Sequence, residues 1–427
     1  MLAKRQLINQ LDQVFETNIS PSLKIDKKLE SSNLEQVANE FLKLTAASES
    51  NWSLPKLKAM TELSKLAYCH GTKETALEVY SKTAVSIAQS KASADSSIKE
   101  GFSRTLLTLS KWICVNNDLS KKSSVVISEL LQLSEDSIAK LENASGSAIA
   151  DLIKCNLSEN KTIIPESEVM AGRLMRLSAL HCPSLRKAWH QFAGWSYRWG
   201  RRVLDQQDNV LNAEDKALVD QMVPSDSDRE KILNILTVTT LTNDEEIDVE
   251  DIHTTEMIEW QLQILFFLKR TTKILVEIWR KSHVRVYSYY ELSANAYFKY
   301  LELCDAPHPE KEDDDKTGSG IITATLRLLR LIVKHALELQ NVLEVGLNFT
   351  PTSPWKNIIP QLFSRLNHPE PYVRRCVSEL LCRLAVDSPH LITFPAVVGA
   401  CTNKHISSVK LFNTCLPRKE QYDDWKF

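Results

Sequence analysis

Glycine is scarce in this chain, at only 10 of 427 residues. It supplies the positive φ angles of tight turns and lets a loop backbone approach a phosphate closely. Its scarcity argues against strand-rich folds with many tight turns and against enzymes built on glycine-rich phosphate loops. The sequence contains no GxxxxGK[ST] loop, no HRD or DFG kinase motif and no HExxH zinc motif. We therefore expect no enzymatic activity from this chain alone.

Long apolar runs are also missing. The longest uncharged apolar run, Ile264 to Leu268, is far shorter than the roughly 20 residues that cross a bilayer. Met1 to Arg5 open an amphipathic helical pattern and lack the apolar segment of a signal peptide. The formal net charge of −2 gives no general attraction to nucleic acid or to anionic membranes. We expect a cytoplasmic location, extending to the nucleus, with no membrane partner.

The nine cysteines form no CxxC pair. Cys376 and Cys382 fall on apolar helical positions, which indicates small buried thiols in a reducing compartment. His181, Cys182 and His190 are residue types that zinc accepts, but no second Cys or His cluster would complete a tetrahedral site. We therefore predict no metal centre.

The helical period runs through almost the whole chain, since apolar residues recur every three or four positions. Helical stretches are separated by short polar joints such as His70-Gly71-Thr72, where the glycine is placed to end a helix. This pattern predicts an all-α fold, a repeat solenoid rather than a compact bundle. Tetratricopeptide-like spacing of small and large residues occurs at Leu63, Ala67, Ala76, Tyr80 and Ala84, and again at Trp189, Phe192, Ala193 and Ser196.

A second repeat type is predicted near the C-terminal end. Ile358 to Phe363 would form a first helix bent by Pro360, and Val373-Arg374 would open the second helix after a turn. This order is typical of a HEAT repeat. The predicted organisation is therefore tetratricopeptide-like repeats over 1–241, an acidic loop over 242–253, a long helical pair over 254–304, an acidic and Gly-Ser loop over 305–320, HEAT-like repeats over 321–401 and an irregular tail over 402–427.

One predicted helix combines tryptophans with basic residues. The segment SLRKAWHQFAGWSYRWGRRV begins at Ser184 and carries Lys187, Arg198, Arg201 and Arg202 beside three tryptophans. One interpretation is a core helix whose tryptophans pack between repeats while its arginines are solvated or paired with acids. A second is a polyanion site, because clustered cations repel unless they are neutralised. A third is a platform for single-stranded nucleic acid.

These residues and the C-terminal motif together resemble a known family. The KAWH run, the later PWKNIIPQLFSRLNHPEPYVRRCVSELL and the final SPHLITFP are similar to the FAT domain of phosphatidylinositol-3-kinase-related protein kinases. The resemblance covers about residues 1–400 and points to the branch that acts in nonsense-mediated mRNA decay. It implies a helical-repeat scaffold that holds and regulates a kinase domain. In that family the kinase lobes follow the last motif, whereas here we expect none before Phe427.

The resemblance also implies a ligand and partners. FAT domains of this family hold inositol hexakisphosphate in a basic pocket, and by motif its ligands would include Lys187 and Arg104, while a further family lysine is replaced by Thr108. Arg198, Arg201 and Arg202 complete the candidate set, and no other cofactor is required. The implied partners are the kinase domain of the parent protein and RNA-surveillance proteins such as the up-frameshift helicase; direct contact with nucleic acid is not expected. A free-standing adaptor that binds proteins, or a polyanion- or RNA-binding module, are the alternatives.

Overall fold

A computed structural model describes residues 73–89, 96–115, 121–145, 165–205, 213–222, 226–237, 269–305 and 314–402, with isolated positions before residue 73 and at 211 and 262. Every regular element in these ranges is helical, which confirms the predicted all-α class. The helices are α1 (Lys73–Gln89), α2 (Ser96–Val115), α3 (Lys121–Ser145), α4 (Glu166–His181), α5 (Arg186–Asp205), α6 (Ala213–Met222), α7 (Asp226–Thr237), α8 (Lys269–Asp305), α9 (Asp314–Lys334), α10 (Gln340–Phe349), α11 (Ile359–Phe363), α12 (Pro371–Asp387) and α13 (Pro389–Thr402), with a 3-10 helix at Ser353–Ile358.

Tertiary contacts divide the chain into two compact units, residues 1–192 and residues 193–427. The division falls inside α5, between Phe192 and Ala193, and coincides with none of the predicted boundaries. Within the described residues, none of the helices combines the length and the apolar character needed to span a bilayer.

In the first unit, each helix packs mainly against the helix two places along the chain. The main pairs are α1 with α3 and α2 with α4, which is the arrangement of stacked helical hairpins. The core between them includes Tyr80 and Trp112, whose ring centroids lie 5.2 Å apart. Ser178 on α4 donates a hydrogen bond to the carbonyl of Ser103 on α2 (2.8 Å), which fixes these two helices at close range. Stacked hairpins of this kind bury a continuous apolar face that one hairpin could not bury alone.

In the second unit, the long helix α8 contacts α6, α7, α9 and α10. It also packs against the second half of α5, where Ser293 donates to the carbonyl of Ala193 (3.0 Å). A Cβ atom at Gly200 would lie 2.6 Å from the ring of Tyr290, so only glycine permits this approach. These contacts place the second half of α5, α8 and α9 around one core.

The C-terminal motif folds largely as its sequence predicts. Pro360 stands in the first turn of α11, directly after the 3-10 helix, so the proline marks a break between two short helical segments. Arg374, in the first turn of α12, donates hydrogen bonds to the carbonyls of His368 (2.6 Å) and Pro369 (2.5 Å) and so closes the turn between the helices. The helical stacking is clear, while assignment of the hairpins to the tetratricopeptide and HEAT classes stays a prediction.

One sequence expectation needs correction in the described residues. The loop predicted over 305–320 is shorter, because α9 already begins at Asp314 and includes Gly318. The apolar period that follows Gly320 extends the helix backwards and overrides the weak helix propensity of glycine. Of the helical pair predicted over 254–304, the structure describes one helix of 37 residues, from Lys269 to Asp305, so the pairing stays a prediction. The predicted acidic loop over 242–253, the tail beyond Thr402, and Leu63 and Ala67 lie outside the described residues.

The cysteines follow the prediction only in part. Cys376 is a buried thiol, as expected from its apolar helical position, and Cys182, at the end of α4, is buried as well. Cys382, however, is disulfide-bonded, so the interpretation of the cysteines as reduced thiols is wrong for this residue.

Candidate functional site

Lysine side chains from separate elements face one another in the first unit. Lys111 lies on α2, Lys187 on the first turn of α5, and Lys65 precedes α1. Partial burial lowers the pKa of Lys111, and the positive charges of Lys187 and then Lys65 lower it further. A positive charge on one of these lysines therefore disfavours the protonated form of Lys111 or, for Lys111 itself, of its neighbours. We call Lys65, Lys111 and Lys187 the lysine cluster; only Lys187 was anticipated from the sequence.

Arg104 has a different environment from Lys187. It lies on α2 seven residues before Lys111, hence about two turns away on the same helix face. Its guanidinium pairs with Glu100 one turn earlier (2.7 Å), with both side chains about two-fifths exposed. The hydroxyl of Thr108 donates to the carbonyl of Arg104 and replaces the family's lysine with a neutral group. Arg104 is thus partly neutralised on its own helix, whereas Lys187 adds to a cationic surface.

The three tryptophans of α5 are core residues. Trp189, Trp195 and Trp199 keep only 7%, 1% and 4% of their surfaces exposed. Trp189 also donates from its indole nitrogen to the carbonyl of Pro183 (2.8 Å), so its polar atom is satisfied near the start of the helix. The core interpretation is therefore confirmed for the tryptophans, and these buried rings do not form a stacking platform for bases.

The basic residues of α5 occupy the exposed side of the helix. Lys187 belongs to the first unit, whereas Arg198, Arg201 and Arg202 belong to the second. Arg202 lies over the ring of Trp199 on its own helix, 4.7 Å from the centroid. Burial raises the pKa of Tyr297 on α8, and the positive charges of Arg327 and, more weakly, of Arg198 oppose that rise. The five predicted ligands are therefore divided between two units and are described separately.

Arg327 on α9 is a basic residue that sequence reasoning missed. Its guanidinium lies over the ring of Tyr197 (4.9 Å to the centroid) and donates to the hydroxyl of Tyr297 (2.5 Å). Nothing in the local sequence distinguishes Arg327 from Arg330 on the same helix. Lys111, by contrast, had a usable signal, because it follows Arg104 by two helical turns and directly precedes Trp112.

The histidines are packed against apolar or aromatic neighbours. His181 contacts the ring of Phe102 edge-on (5.2 Å between centroids), and burial, assisted by Lys99, lowers the pKa of His181 to about 4. His335 stacks against Tyr290 (5.0 Å), and burial, with Lys334 and Arg330, lowers the pKa of His335 to about 4. The structure brings together no group of three or more potential metal ligands among the residues it describes.

The described residues form stacked helical hairpins with exposed basic surfaces, and they contain no kinase fold. This chain is therefore an all-α helical-repeat protein. Comparison with curated proteins specifies its relatives. The chain is 35% identical to the serine/threonine-protein kinase SMG1 of Danio rerio over 79% of its length, and 37% identical to Smg1 of Drosophila melanogaster over 69%. It is also 27% identical to smg-1 of Caenorhabditis briggsae over 56% of its length. The chain is therefore homologous to the SMG1 serine/threonine-protein kinases.

The homology concerns a limited part of those kinases. The chain spans about a tenth of the length of the curated relatives it matches, namely 10% of the Danio protein and 9% of the Drosophila protein. No protein-family model matches the chain. Its helical structure is consistent with a FAT-like region of a phosphatidylinositol-3-kinase-related kinase, that is, with a non-catalytic part of these enzymes.

Proposed function

We propose that this chain is the regulatory scaffold of a serine/threonine kinase of nonsense-mediated mRNA decay and has no catalytic activity of its own. Two observations together support the proposal: the chain is homologous to SMG1 kinases over most of its length, and the described residues are all helical. Its partners would be the kinase domain and RNA-surveillance proteins such as the up-frameshift helicase. This role places it in the cytoplasm, with access to the nucleus.

The chemistry of phosphoryl transfer supports the non-catalytic part of the proposal. A kinase must hold the γ-phosphate and its magnesium ions with a lysine, a metal-binding aspartate and a catalytic-loop base. The sequence carries no HRD or DFG motif from which such a set could be built. Purified chain with ATP and magnesium should therefore transfer no phosphate to a protein substrate. Activity that survives rigorous purification and has a defined stoichiometry would contradict the proposal.

The scaffold role is tested by association in trans. Full-length chain is mixed with Danio SMG1 from which the homologous segment has been deleted, and the mixture is separated by size-exclusion chromatography. Co-elution is the expected result. The matched positive control is the deleted Danio segment itself, added separately. If that segment binds the deleted kinase and this chain does not, the proposed scaffold role is wrong.

A second role, binding of inositol hexakisphosphate, is favoured by the lysine cluster. The positive charges of Lys187 and Lys65 each disfavour the protonated form of Lys111, which is also partly buried. A multivalent phosphate would remove that repulsion and connect α2 to α5 through charge-assisted hydrogen bonds. Lys187 is also the residue that the family motif identifies as a ligand, while Arg104 would have to exchange Glu100 for the phosphate.

Thermal melting with and without inositol hexakisphosphate tests this second role. A ligand that binds only the folded chain raises the melting temperature, and the rise grows with ligand concentration. We expect Lys187→Glu and Lys111→Glu to abolish most of the rise, and Arg104→Glu to reduce it. Lys82→Glu, on the exposed surface of α1, is the matched control. No rise for the parent chain at low salt, or equal rises in all variants, would contradict the assignment.

A further inference from the structure

The second unit contains a basic site whose geometry differs from that of the lysine cluster. At its centre, Arg327 of α9 lies over the ring of Tyr197 and, at 6.0 Å from the centroid, near the face of Tyr297. The hydroxyl of Tyr297 accepts a hydrogen bond from one terminal nitrogen of this guanidinium. Tyr297 has no exposed surface, so the group that anchors Arg327 is part of the core. The guanidinium is thereby held in one orientation while its side chain is only half-buried.

The helix backbone beside this guanidinium carries no side chain. A Cβ atom at Gly194 would lie 3.3 Å from the terminal nitrogen of Arg327 and 3.8 Å from the hydroxyl of Tyr297. Glycine therefore lets these two polar atoms lie directly against the backbone of α5. Arg198 follows Gly194 by four residues and so lies one turn further along the same face of α5, exposed to solvent. We call Gly194, Arg198, Tyr297 and Arg327 the arginine notch.

The charges of the arginine notch are not balanced by carboxylates. Among the residues that the structure describes, neither Arg198 nor Arg327 forms an ion pair. Burial raises the pKa of Tyr297, and the groups that oppose this are the two guanidiniums, Arg327 first and Arg198 second, without any acidic residue. Two cations thus surround one phenol. A guanidinium has five N–H donors in a fixed plane, and Tyr297 is the one described acceptor for those of Arg327.

We propose that the arginine notch is a binding site for a single phosphomonoester. Oriented guanidinium N–H groups match the oxygens of a phosphate, and an aromatic face holds arginine in place without neutralising it. Gly194 lets the guanidinium of Arg327 lie close against α5, one helical turn from Arg198, which supplies the second charge. The site goes beyond the proposed scaffold function, and its residues are separate from those of the lysine cluster. The phosphate could belong to a small molecule or to a phosphorylated side chain.

Calorimetric titration of the full chain tests the site. The probes are inorganic phosphate, a Gly-Ser peptide with one phosphoserine, and the same peptide without the phosphate. Gly194→Ala keeps every charge but brings a methyl group to 3.3 Å from the guanidinium of Arg327, which must move, and should weaken binding by about tenfold, the effect of losing one charge-assisted hydrogen bond. The matched control is Gly318→Ala, another helical glycine of the same unit, which has nothing within 4 Å of the added atom and should bind like the parent. Arg198→Gln, at an exposed position, should weaken binding in the same direction even if Gly194→Ala fails to fold.

Binding of both phosphate probes would show that the phosphate alone is recognised. Binding of the phosphopeptide alone would identify a phosphorylated side chain as the ligand, and binding of inorganic phosphate alone would identify a free phosphate. Each of these results supports the site, provided that the unphosphorylated peptide does not bind. The proposal is overturned if neither phosphate probe binds the parent chain at low salt. It is also overturned if Gly194→Ala, once shown to be folded, and Arg198→Gln both bind as tightly as Gly318→Ala.

Discussion

The lysine cluster of the first unit and the arginine notch of the second gather positive charge in opposite ways. In the lysine cluster the ammonium groups lie on long stems, and the pKa of Lys111 is lowered first by partial burial and then by the positive charges of Lys187 and Lys65. In the arginine notch the guanidinium of Arg327 is fixed by a stacked ring and a phenol. An ammonium group is a mobile point charge, whereas a guanidinium is a planar fork that aromatic faces can orient.

This difference predicts two kinds of ligand recognition: the lysine cluster recognises total charge, and the arginine notch recognises the geometry of one anion. A mobile cluster of lysines suits a ligand with many charges, whose affinity falls steeply as salt is added. A fixed guanidinium suits a single oxyanion, whose oxygens it meets in one orientation. The two sites also differ in their contribution to stability, because the lysine cluster lies on the surface while Tyr297 lies in the core.

The largest expected effect concerns the difference in burial between Tyr297 and the lysine cluster. Tyr297→Ala removes a fully buried ring and should lower the free energy of unfolding by about 3–5 kcal/mol. Lys111→Ala should change it by less than about 0.5 kcal/mol, because the lysine is exposed. Urea unfolding followed by circular dichroism measures both. Similar values for the two variants would show that the arginine notch is not anchored in the core.

Close helix packing next to the arginine notch gives the next effect. A Cβ atom at Gly346 would lie 2.1 Å from the ring of Phe298, the residue after Tyr297. Gly346→Ala should therefore cost about 1–3 kcal/mol through overpacking. Gly318→Ala is the control, and should be neutral or stabilising by up to about 1 kcal/mol, since alanine favours the helix. Urea unfolding that ranks the two variants in the reverse order would contradict the packing of α10 on α8.

Acidification should affect both units through one histidine in each. The pKa values of His181 and His335 are about 4 in the folded chain and about 6.5 when unfolded, so the unfolded chain takes up these protons first. The stability they contribute is complete above pH 6.5 and is lost as the pH falls towards 4. Between pH 7 and pH 5, each histidine should lower the free energy of unfolding by about 1–2 kcal/mol, as measured by urea unfolding. His181→Phe and His335→Phe should each flatten the dependence; an unchanged slope in the double variant would refute this explanation.

The smallest effect concerns surface charge in the first unit. Lys111→Gln relieves repulsion with Lys187 and should stabilise the chain by less than about 1 kcal/mol at low salt, with no effect at high salt. Arg375→Gln in the second unit is the matched variant with the opposite expected sign. It removes a salt bridge with Glu344 (2.9 Å) and should destabilise the chain slightly. Thermal melting in low and high salt distinguishes the two signs. A loss of stability in both variants would mean that the lysines do not repel one another.

Most of the fold could be predicted from the sequence, because helical periodicity is a local signal. Burial of Trp195 and Trp199 in the core was one of the interpretations that the helical period of α5 offered, and the structure confirms it. The prediction failed where tertiary packing overrides local preference, as at Gly318, where the helix extends through a glycine. It also failed at the division inside α5, since a continuous helix gives no local sign of which neighbours each half contacts.

The candidate site could be predicted only in part. Lys187 was identified by motif, and Arg198 by its position on a basic helix. Arg327 was not, because its significance comes from Tyr197 and Tyr297, which lie far away in the sequence and meet it only in the folded chain. Arg104 was named as a ligand by motif alone, and its pairing with Glu100 was not foreseen.

The account depends most directly on the separation of the two basic surfaces. Its test is calorimetric titration of the full chain, of Lys187→Glu and of Gly194→Ala, each with inositol hexakisphosphate and with the phosphoserine peptide. We predict that Lys187→Glu loses affinity for inositol hexakisphosphate and still binds the phosphopeptide, whereas Gly194→Ala shows the opposite pattern. If each variant loses both ligands equally, or neither variant loses any, the assignment of separate ligands to the lysine cluster and the arginine notch is contradicted.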